Sequence, residues 1–566
     1  MTSREPDPPL RHPLPVVAPR FGDDWWQRGV IYQVYPRSYA DSDGDGVGDL
    51  PGIIDHLDHL GPGGLGVDAI WLSPIYPSPG LDLGYDVSDH ERVDPVFGSE
   101  ADFDRLVDEA HGRGIRVVLD LVMNHTSAAH RWFEDSRTNR DGPHGGWYLW
   151  RDPSGFGPGG EPLPPNNWVS FFGGPGWQWD EGRRQFYYHT FLVEQPELDW
   201  RAPGVEDAQL RMVRGWLDRG VDGFRLDVFN VFLKHPDLPS NPIRPGDSAW
   251  GRQVHLYDRD QPDFPALIGR FRAIVDEQPG RLSIGELFDG TVETAAGLTS
   301  DRHLVFDWLL TEAPWTAAAI RSAVATREAA FGTDRWPTLV LSNHDRPRLA
   351  SRLADGIPGA DRDAVARAAV VLLLTLRGTP FLYYGEELGM ADVDIQADES
   401  VDPPASRVGP DFAWWDRSRC RTPMPWAARP GAGFTSGRPW LRLGPDAQTR
   451  NVAVEAADPT SLLSLYRHLL ALRAATPALQ AGTMRLDPDT AGDLVAYTRA
   501  TDDQVVLVVL NLGREVGHHQ LPGPLGVTGW RTLLGTAPAR TPGSSIPGGT
   551  TLDLAPDEGL ILERIG

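Results

Sequence analysis

The sequence predicts an α/β protein whose main domain is a (β/α)8 TIM barrel. Short apolar runs alternate with longer amphipathic runs, a pattern typical of parallel strands joined by helices. Eight of the apolar runs are interpreted as strands, a count that favours a closed barrel over an open doubly wound sheet. The predicted strands are residues 29–34, 67–72, 115–121, 223–226, 282–285, 303–306, 338–341 and 381–383.

Helical periodicity and strand spacing divide the chain into five parts. Helices are predicted at 101–112, 206–219, 263–277, 361–376 and 461–474. About seventy residues follow the third strand, where barrel connections usually have about two to six, so an inserted B subdomain is expected at 125–195. After residue 480, alternating runs without helical periodicity predict an antiparallel β domain at 481–566. The remaining parts are a proline-rich tail at 1–23 and two barrel segments, 24–124 and 196–480.

Composition excludes several classes of partner. The 566-residue chain has a formal net charge of −25, which argues against nucleic acid or an anionic membrane, since both require a basic face. Its single cysteine, Cys420, excludes an internal disulfide framework and is expected to be a packed thiol. Residues 1–20 lack the apolar core of a secretory signal, and the longest apolar stretch, 364–376, is too short to span a bilayer. We therefore expect a cytoplasmic protein. A monomer or weak homo-oligomer is expected separately, without a sequence feature that decides between them.

Polar side chains that follow the predicted strands are the candidate functional residues. In such a barrel the C-terminal ends of all strands face one mouth, so residues just after the apolar runs converge there. A charge at the end of a core strand is penalised by desolvation unless a partner or a reaction uses it. These residues are Asp82 and Tyr85 after the second strand, His125 after the third, Arg225 and Asp227 on the fourth, Glu286 after the fifth, and His344 and Asp345 after the seventh.

Three carboxylates in one pocket suit the cleavage of a glycosidic bond. That reaction needs an acid for the leaving oxygen and a carboxylate that attacks or stabilises an oxocarbenium-like centre. We assign Asp227 as the nucleophile and Glu286 as the general acid/base. Asp345 is expected to orient the sugar hydroxyls, and His125 and His344 to hydrogen-bond the same ring.

Crowding should perturb these carboxyl groups. Mutual repulsion and desolvation should raise the pKa of one of them, while Arg225 should hold its neighbour Asp227 ionised. The structural alternative is a set of buried ion pairs at a barrel rim, since such networks also produce perturbed pKa values.

Four ordered segments carry a resemblance to a known family. They are DLVMNH at 120–125, GFRLD at 223–227, IGE at 284–286 and SNHD at 342–345. They closely resemble the four signature regions of the α-amylase family, glycoside hydrolase family 13. Further segments, WQRGVIYQ at 26–33, RTPMPW at 421–426 and AGFT at 432–435, resemble its oligo-1,6-glucosidase and α-glucosidase branch. The resemblance covers roughly residues 24 to 480 and implies the barrel, an inserted B domain and a C-terminal β-sandwich domain.

The resemblance also implies a substrate class and an exo mode of action. In that branch the counterparts of Asp82 and Arg348 bind the outermost glucose, so that only a chain end enters the pocket. A valine after the nucleophile, here Val228, tends to accompany α-1,6 cleavage rather than α-1,4 cleavage. The expected activity is a retaining α-glucosidase that acts on the non-reducing ends of short α-gluco-oligosaccharides or disaccharides.

Two other functions stay open at this point. A transglucosylase or disaccharide isomerase uses the same site with a sugar hydroxyl in place of water, and sequence barely separates it from a hydrolase. The RLDRD loop motif associated with sucrose isomerases is absent, which disfavours isomerisation. A non-catalytic sugar-binding or transporter-partner protein is disfavoured because the three carboxylates are intact.

An acidic turn suggests a separate metal site. Residues 41–49 read DSDGDGVGD, and alternate aspartates with glycines offer the oxygens that hard cations prefer. Position twelve of an EF-hand loop is Gly52 here, so the EF-hand interpretation fails. The turn instead resembles the Ca²⁺ or Mg²⁺ loop of the branch, which implies a structural ion with ligands Asp41, Asp43, Asp45, Asp49 and the Val47 carbonyl. An acidic surface turn without an ion is the alternative, and no cofactor is expected for catalysis.

Aromatic residues in the predicted insert have two possible roles. Trp168, Phe171, Phe172 and Trp177 either stack on sugar rings or form the insert's own small core.

Overall fold

The computed structural model describes residues 20–403, 416–523 and 529–565. Within these residues, the barrel and its insert contain thirteen strands. In chain order they are β1 Ile31–Val34, β2 Ala69–Leu72, β3 Arg116–Leu121, β4 Trp150–Arg151, β5 Gly155–Phe156, β6 Pro162–Leu163, β7 Trp177–Asp180, β8 Gln185–Tyr188, β9 Gly223–Leu226, β10 Leu282–Gly285, β11 His303–Val305, β12 Thr338–Val340 and β13 Thr379–Tyr383.

Eight parallel strands form one sheet in the order β11-β10-β9-β3-β2-β1-β13-β12. They are the eight runs predicted from sequence, and each lies within about two residues of its predicted bounds. The two ends of this row are linked by the Thr338 hydroxyl, which donates to the Val305 carbonyl at 3.3 Å. The predicted barrel is therefore confirmed.

Sixteen α-helices surround or follow these strands in the described residues. They are α1 Trp25–Arg28, α2 Pro36–Tyr39, α3 Leu50–Asp55, α4 Leu57–Leu60, α5 Glu100–Gly112, α6 Arg131–Thr138, α7 Val205–Asp218, α8 Phe264–Val275, α9 Val292–Leu298, α10 Leu309–Glu312, α11 Ala317–Phe331, α12 Leu349–Arg352, α13 Arg362–Thr375, α14 Val452–Ala457, α15 Leu462–Ala475 and α16 Pro477–Ala481.

The five predicted helices are α5, α7, α8, α13 and α15. Helix α5 begins at a capping box in which Ser99 and Asp102 exchange side-chain and backbone hydrogen bonds. Helix α11 was not predicted. Its alanine-rich sequence favours a helix by propensity, but its buried and exposed positions form only a weak amphipathic pattern.

The insert lies between β3 and α7 and carries its own small sheet. Strands β4, β8 and β7 pair in that order, and β5 and β6 form a separate hairpin. An antiparallel bridge joins His125 to Glu197, so the chain enters and leaves the insert side by side. The insert is thereby anchored next to the end of β3.

The C-terminal domain is antiparallel, as predicted. Its strands are β14 Thr483–Leu486, β15 Leu494–Ala500, β16 Val505–Asn511, β17 Gly517–Gln520, β18 Gly529–Gly535, β19 Ser545–Pro547, β20 Thr551–Leu554 and β21 Gly559–Ile565. Six form one sheet in the order β14-β15-β16-β21-β18-β19, and β17 pairs with β20. One face of the six-stranded sheet packs on the two-stranded sheet through Leu507, Val509 and Leu554. The other face, including Val508, joins the main core of the barrel.

Within the described part of the chain, no helix has the length and apolar character needed to cross a membrane.

Candidate active site

Hydrogen bonds beyond the strand ends bring two predicted catalytic residues to one mouth of the barrel. The Asp227 amide donates to the Leu121 carbonyl at 3.1 Å, and the Glu286 amide donates to the Leu226 carbonyl at 2.9 Å. These bonds continue the parallel ladder past β3, β9 and β10. Both carboxyl groups therefore follow their strands at the C-terminal end of the barrel.

A pocket of about 620 Å³ opens at this mouth. Its size lies within the roughly 300–1,000 Å³ that is usual for small-molecule sites. Six of the predicted site residues line it: Asp82, Tyr85, His125, Asp227, Glu286 and Asp345. The structure thus brings the three predicted catalytic carboxyl groups together in one cavity.

Arg225 lies beneath the pocket and pairs with three carboxyl groups. Its Nη1 is 2.7 Å from Asp120 and 2.8 Å from Asp227, and its Nη2 is 2.6 Å from Glu286. The side chain is 1% exposed, so these pairs form out of water. One guanidinium faces three carboxyl groups, and the cluster cannot hold all three as fully compensated anions.

Burial dominates the protonation of this cluster. It raises the pKa of Asp227 well above its ordinary value, because the opposing effect of Arg225 is partly cancelled by the neighbouring carboxylates. Burial likewise raises the pKa of Asp120 to about 6, with Arg225 again opposing. The predicted ion pair between Arg225 and Asp227 is present. Contrary to our expectation, it does not offset the effect of burial on the pKa of Asp227.

His344 is held as a neutral ring behind the pocket. Burial lowers its pKa well below the usual range. Its Nδ1 is 2.8 Å from the amide nitrogen of Gln33, which can only donate, so the ring proton is assigned to Nε2. Nε2 then faces the Tyr85 hydroxyl at 2.5 Å and Asp345 at 3.1 Å. The Tyr85 hydroxyl donates onward to Asp120 at 2.9 Å.

Asp345 is surrounded by cations. Arg417 lies 3.1 Å and Arg421 2.8 Å from its Oδ1. Burial alone raises the pKa of Asp345, but the charged Arg417 and Arg421, together with the His344 N–H that faces it, lower it below the usual value. Asp345 is therefore ionised and ready to accept hydrogen bonds from hydroxyl groups.

Arg417 occupies the position that the sequence assigned to Arg348. The Arg417 guanidinium lines the pocket and lies 2.7 Å from Asp82 and 2.7 Å from Asp402. Arg348 is 1% exposed and is not among the residues that line the pocket. Its guanidinium packs over the rings of Tyr383 and Tyr384 and donates to the Tyr384 carbonyl at 2.8 Å. Its side chain points into the protein core, so the structure does not bring Arg348 into the pocket as the sequence predicted.

His125 faces the pocket together with a residue that the sequence did not single out. The Gln195 amide donates to Asp82 at 3.0 Å and approaches His125 Nε2 at 3.3 Å. Burial lowers the pKa of His125, so its ring is neutral. Gln195 thus links the insert to the pocket wall.

The aromatic residues of the insert divide between the two predicted roles. Phe171 and Phe172 line the pocket. Trp168 and Trp177 are buried in a separate cluster with Tyr188 and form the core of the insert.

The acidic turn brings three aspartates together. Ligand oxygens of Asp41, Asp43 and Asp49 lie within 4.8 Å of one another. Asp45 is not part of this cluster, and its Oδ1 accepts a hydrogen bond from the Val47 amide at 2.7 Å. The Asp49 side chain also caps α3 by accepting from Gly52. Three carboxylates at this separation fit the oxygen ligands of Ca²⁺ or Mg²⁺.

Two residues missed by sequence reasoning are central to the site. Arg417 lies in the arginine-rich run 416–421, next to the RTPMPW segment that begins at residue 421. No predicted strand ends at Arg417, so the sequence pattern did not indicate it. Asp120 is the first residue of the DLVMNH segment and faces Arg225 from β3. Asp120 lies inside the predicted strand 115–121, whereas the candidate site residues were sought directly after the strands, so it was not predicted.

Comparison with known proteins agrees with the fold. The family described as "Alpha amylase, catalytic domain" matches residues 33–482. A probable alpha-glucosidase of Rhizobium meliloti (strain 1021) is 42% identical over 517 residues, which cover 88% of this chain and 91% of that protein. An oligo-1,6-glucosidase of Heyndrickxia coagulans is 35% identical over 548 residues, which cover 90% and 96%. The crystal structure of an alpha-glucosyl transfer enzyme, XgtA, matches with a TM-score of 0.87 at 41% identity, covering 96% of this chain and 100% of that one. The chain belongs to the α-amylase family, glycoside hydrolase family 13, and is a glycoside hydrolase of its α-glucosidase and oligo-1,6-glucosidase branch.

Proposed function

We propose that this enzyme is a retaining, exo-acting α-glucosidase that releases terminal non-reducing glucose from short α-linked oligosaccharides. The observation that carries the proposal is the buried pair between Asp82 and Arg417 beside Asp227, Glu286 and Asp345 in one pocket. Charged groups that are already fixed in place suit the hydroxyls of one terminal sugar. They also leave little room for a chain that continues past it.

The positions of Asp227 and Glu286 favour retention of configuration. Both carboxyl groups contact nitrogens of the same guanidinium, at 2.8 Å and 2.6 Å. Carboxyl groups this close suit the separation of about 5–5.5 Å found in retaining enzymes, which leaves no room for a water between nucleophile and sugar.

The proposed reaction proceeds in two steps. The Asp227 carboxylate attacks the anomeric carbon while Glu286 gives its proton to the leaving glycosidic oxygen, and a covalent glucosyl ester forms. Glu286, now a carboxylate, takes a proton from water. That water attacks the anomeric carbon and releases glucose and Asp227. Asp345 accepts hydrogen bonds from sugar hydroxyls throughout.

Substituting the nucleophile tests this mechanism. Asp227→Asn should abolish turnover while the protein stays folded, and near-normal activity would remove Asp227 as nucleophile. The anomer released first, followed by NMR during hydrolysis, tests retention: β-glucose as the initial product would contradict it.

An α-1,6 preference is the finer proposal. Val228 lines the pocket directly after Asp227, the proposed nucleophile. Initial rates on isomaltose, maltose, sucrose and trehalose test it. Faster cleavage of maltose or sucrose than of isomaltose would overturn the linkage proposal and leave the catalytic roles standing.

A transglucosylase is the second candidate. Phe171, Phe172, Phe191 and Phe288 line the pocket, and an apolar wall disfavours water as the acceptor. The similarity to XgtA, an alpha-glucosyl transfer enzyme, supports this alternative. Chromatography of the same reactions separates the two, since new glucosides at low donor conversion indicate transfer and free glucose indicates hydrolysis.

A structural Ca²⁺ or Mg²⁺ held by Asp41, Asp43 and Asp49 is also proposed. The proximity of these three carboxylates supports it. The ion would stabilise the turn that leads into α3 and would take no part in catalysis.

A further inference from the structure

Asn230 ties together the loops that carry Asp227 and Glu286. It follows Asp227 by three positions, is 1% exposed and does not line the pocket. Its Oδ1 accepts from the Phe288 amide at 2.8 Å, and its Nδ2 donates back to the Phe288 carbonyl at 3.1 Å. Phe288 follows Glu286 by two positions. One side-chain amide thus makes a reciprocal pair between the two loops.

The second Nδ2 proton reaches a third segment. It donates to Asp260 Oδ1 at 3.0 Å, and the Asp260 amide donates to the Asn230 carbonyl at 2.9 Å. Both donor hydrogens of the Asn230 side chain are therefore used. No other common side chain of this size offers two donors and an acceptor in this arrangement.

Each of the three connected segments contains a non-glycine residue in the left-handed region. The φ values are 38° at Val228, 51° at Asp260 and 48° at Asp289. This conformation is unfavourable for side chains with a Cβ, most of all for a β-branched valine. Such backbone persists only where surrounding contacts determine it. The hydrogen bonds of Asn230 are contacts of that kind.

The conformation at Val228 has a direct consequence for Glu286. The Val228 amide donates to Glu286 Oε2 at 3.1 Å, and the Phe229 amide donates to the Glu286 carbonyl at 3.2 Å. The turn is also packed closely against β10, because a Cβ added to Gly285 would lie 2.5 Å from the Phe229 ring. The orientation of the Glu286 carboxyl group thus depends on the turn that Asn230 holds.

We infer that Asn230 is a positioning residue that orients Glu286 for proton transfer by fixing the turn after Asp227. This inference rests on the proposed role of Glu286 as general acid. A misplaced acid should slow the departure of groups that need a proton and spare those that do not. General acid catalysis is worth roughly 10²–10⁴-fold, so partial misplacement should cost at least about tenfold.

Leaving-group dependence tests this inference. Asn230→Ala is compared with the parent enzyme on isomaltose, whose leaving oxygen needs a proton, and on α-glucosyl fluoride, whose fluoride does not. We expect kcat/KM on isomaltose to fall at least about tenfold more than kcat/KM on the fluoride. Equal losses on both substrates would overturn the inference, since a general structural defect reduces both alike.

Two controls keep the outcome interpretable. Asn511→Ala removes a buried asparagine of the C-terminal domain that makes hydrogen bonds to Glu515, Leu554 and Ala555, and it should leave the ratio unchanged. Glu286→Gln is the reference for loss of the acid. If it does not spare the fluoride, the proposed role of Glu286 fails, and with it the basis for the inference.

A milder variant covers the case in which Asn230→Ala does not fold. Asp260→Ala removes one partner of Asn230 from a side chain that is 39% exposed, so it should fold. It should shift the isomaltose to fluoride ratio in the same direction by a smaller factor. An unchanged ratio in this folded variant would count against the inference.

Discussion

Arg417 and Asp82 form a buried ion pair of 2.7 Å across 335 residues of sequence. The same guanidinium reaches Asp345 at 3.1 Å and Asp402 at 2.7 Å. A planar fork of donors suits several carboxylates at once, which an ammonium group does not. The pair therefore fixes one wall of the pocket before substrate arrives.

Replacing this arginine should impair catalysis more than folding. Arg417→Lys keeps the charge but loses the forked geometry, so kcat/KM on isomaltose should fall roughly tenfold to a hundredfold, in line with the value of charged hydrogen bonds. Steady-state kinetics measure this loss.

Arg348→Lys is the matched control. It should lower the unfolding temperature because the ring contacts and the bond to Tyr384 weaken, while kcat/KM stays within about threefold. Comparable kinetic losses in both folded variants would restore Arg348 as a site residue.

The site residues differ in how far the sequence could predict them. Asp227, Glu286 and Asp345 were predicted because each follows an apolar run, and barrel geometry then places them at one mouth. Arg417 begins a short 3-10 turn, and its position depends on ion pairs with distant carboxylates. The hydrophobic periodicity of the sequence cannot reveal ion pairs between residues so far apart in the chain.

Burial and charge balance were the other limits of sequence reasoning. Asp120 belongs to a recognised motif, but its repulsion of Asp227 depends on how closely the fold brings the two carboxyl groups to the same Arg225 nitrogen. The pKa of Asp227 depends on desolvation, which a one-dimensional pattern does not quantify. The strands and the carboxyl positions were predictable, whereas the electrostatic balance required the packed structure.

The acid limb of the pH profile should report this balance. Asp227 must be ionised to attack, and burial raises its pKa, so kcat/KM should fall on acidification at a pH above the ordinary aspartate value of about 3.9. Asp120→Asn removes a carboxylate that raises the pKa of Asp227. The acid limb should therefore move to lower pH in this variant, even if the maximal rate is reduced. An acid limb that stays in place or moves upward would show that Asp120 does not act on the nucleophile.

Removal of divalent cations should lower stability without acting on the chemistry. A chelator should reduce the unfolding temperature of the parent enzyme by a few degrees, since an ion that binds only the folded state stabilises it by about 3 kcal/mol at a hundredfold excess over Kd. Asp43→Asn should unfold at a lower temperature and respond less to the chelator. Calorimetry with and without added Ca²⁺ measures both. An identical response in the two proteins would place the ion elsewhere or exclude it.

Glu386 should make stability depend on pH. Burial raises its pKa to about 7 from 4.5, with Ser342 and Tyr466 hydrogen-bonding its oxygens. The pKa of Glu386 is higher in the folded protein than in the unfolded chain. The contribution of Glu386 to stability is therefore complete below its unfolded pKa of 4.5 and is lost as the pH rises towards 7. The loss amounts to about 3 kcal/mol over this window. Glu386→Gln cannot ionise, so the difference in unfolding free energy between about pH 5 and about pH 8, measured in urea, should shrink by that amount. Exposed Glu161→Gln is the charge control, and an equal pH dependence in parent and Glu386→Gln would refute the assignment.

A buried ion pair should couple the insert to the barrel. Lys234 lies 2.5 Å from Glu197, and their side chains are 2% and 1% exposed. Glu197 also accepts from the Thr190 amide at 2.7 Å, next to the bridge that joins it to His125. Removing one partner leaves the other charge buried, so Lys234→Met should lower the unfolding free energy by about 3–5 kcal/mol. Glu197→Gln should also destabilise, but the double variant should be more stable than the sum of the two losses implies, because it leaves no unpaired charge. Urea unfolding of all four proteins completes the cycle. Additive losses would mean that the two charges are solvated independently and that the pair does not hold the insert in place.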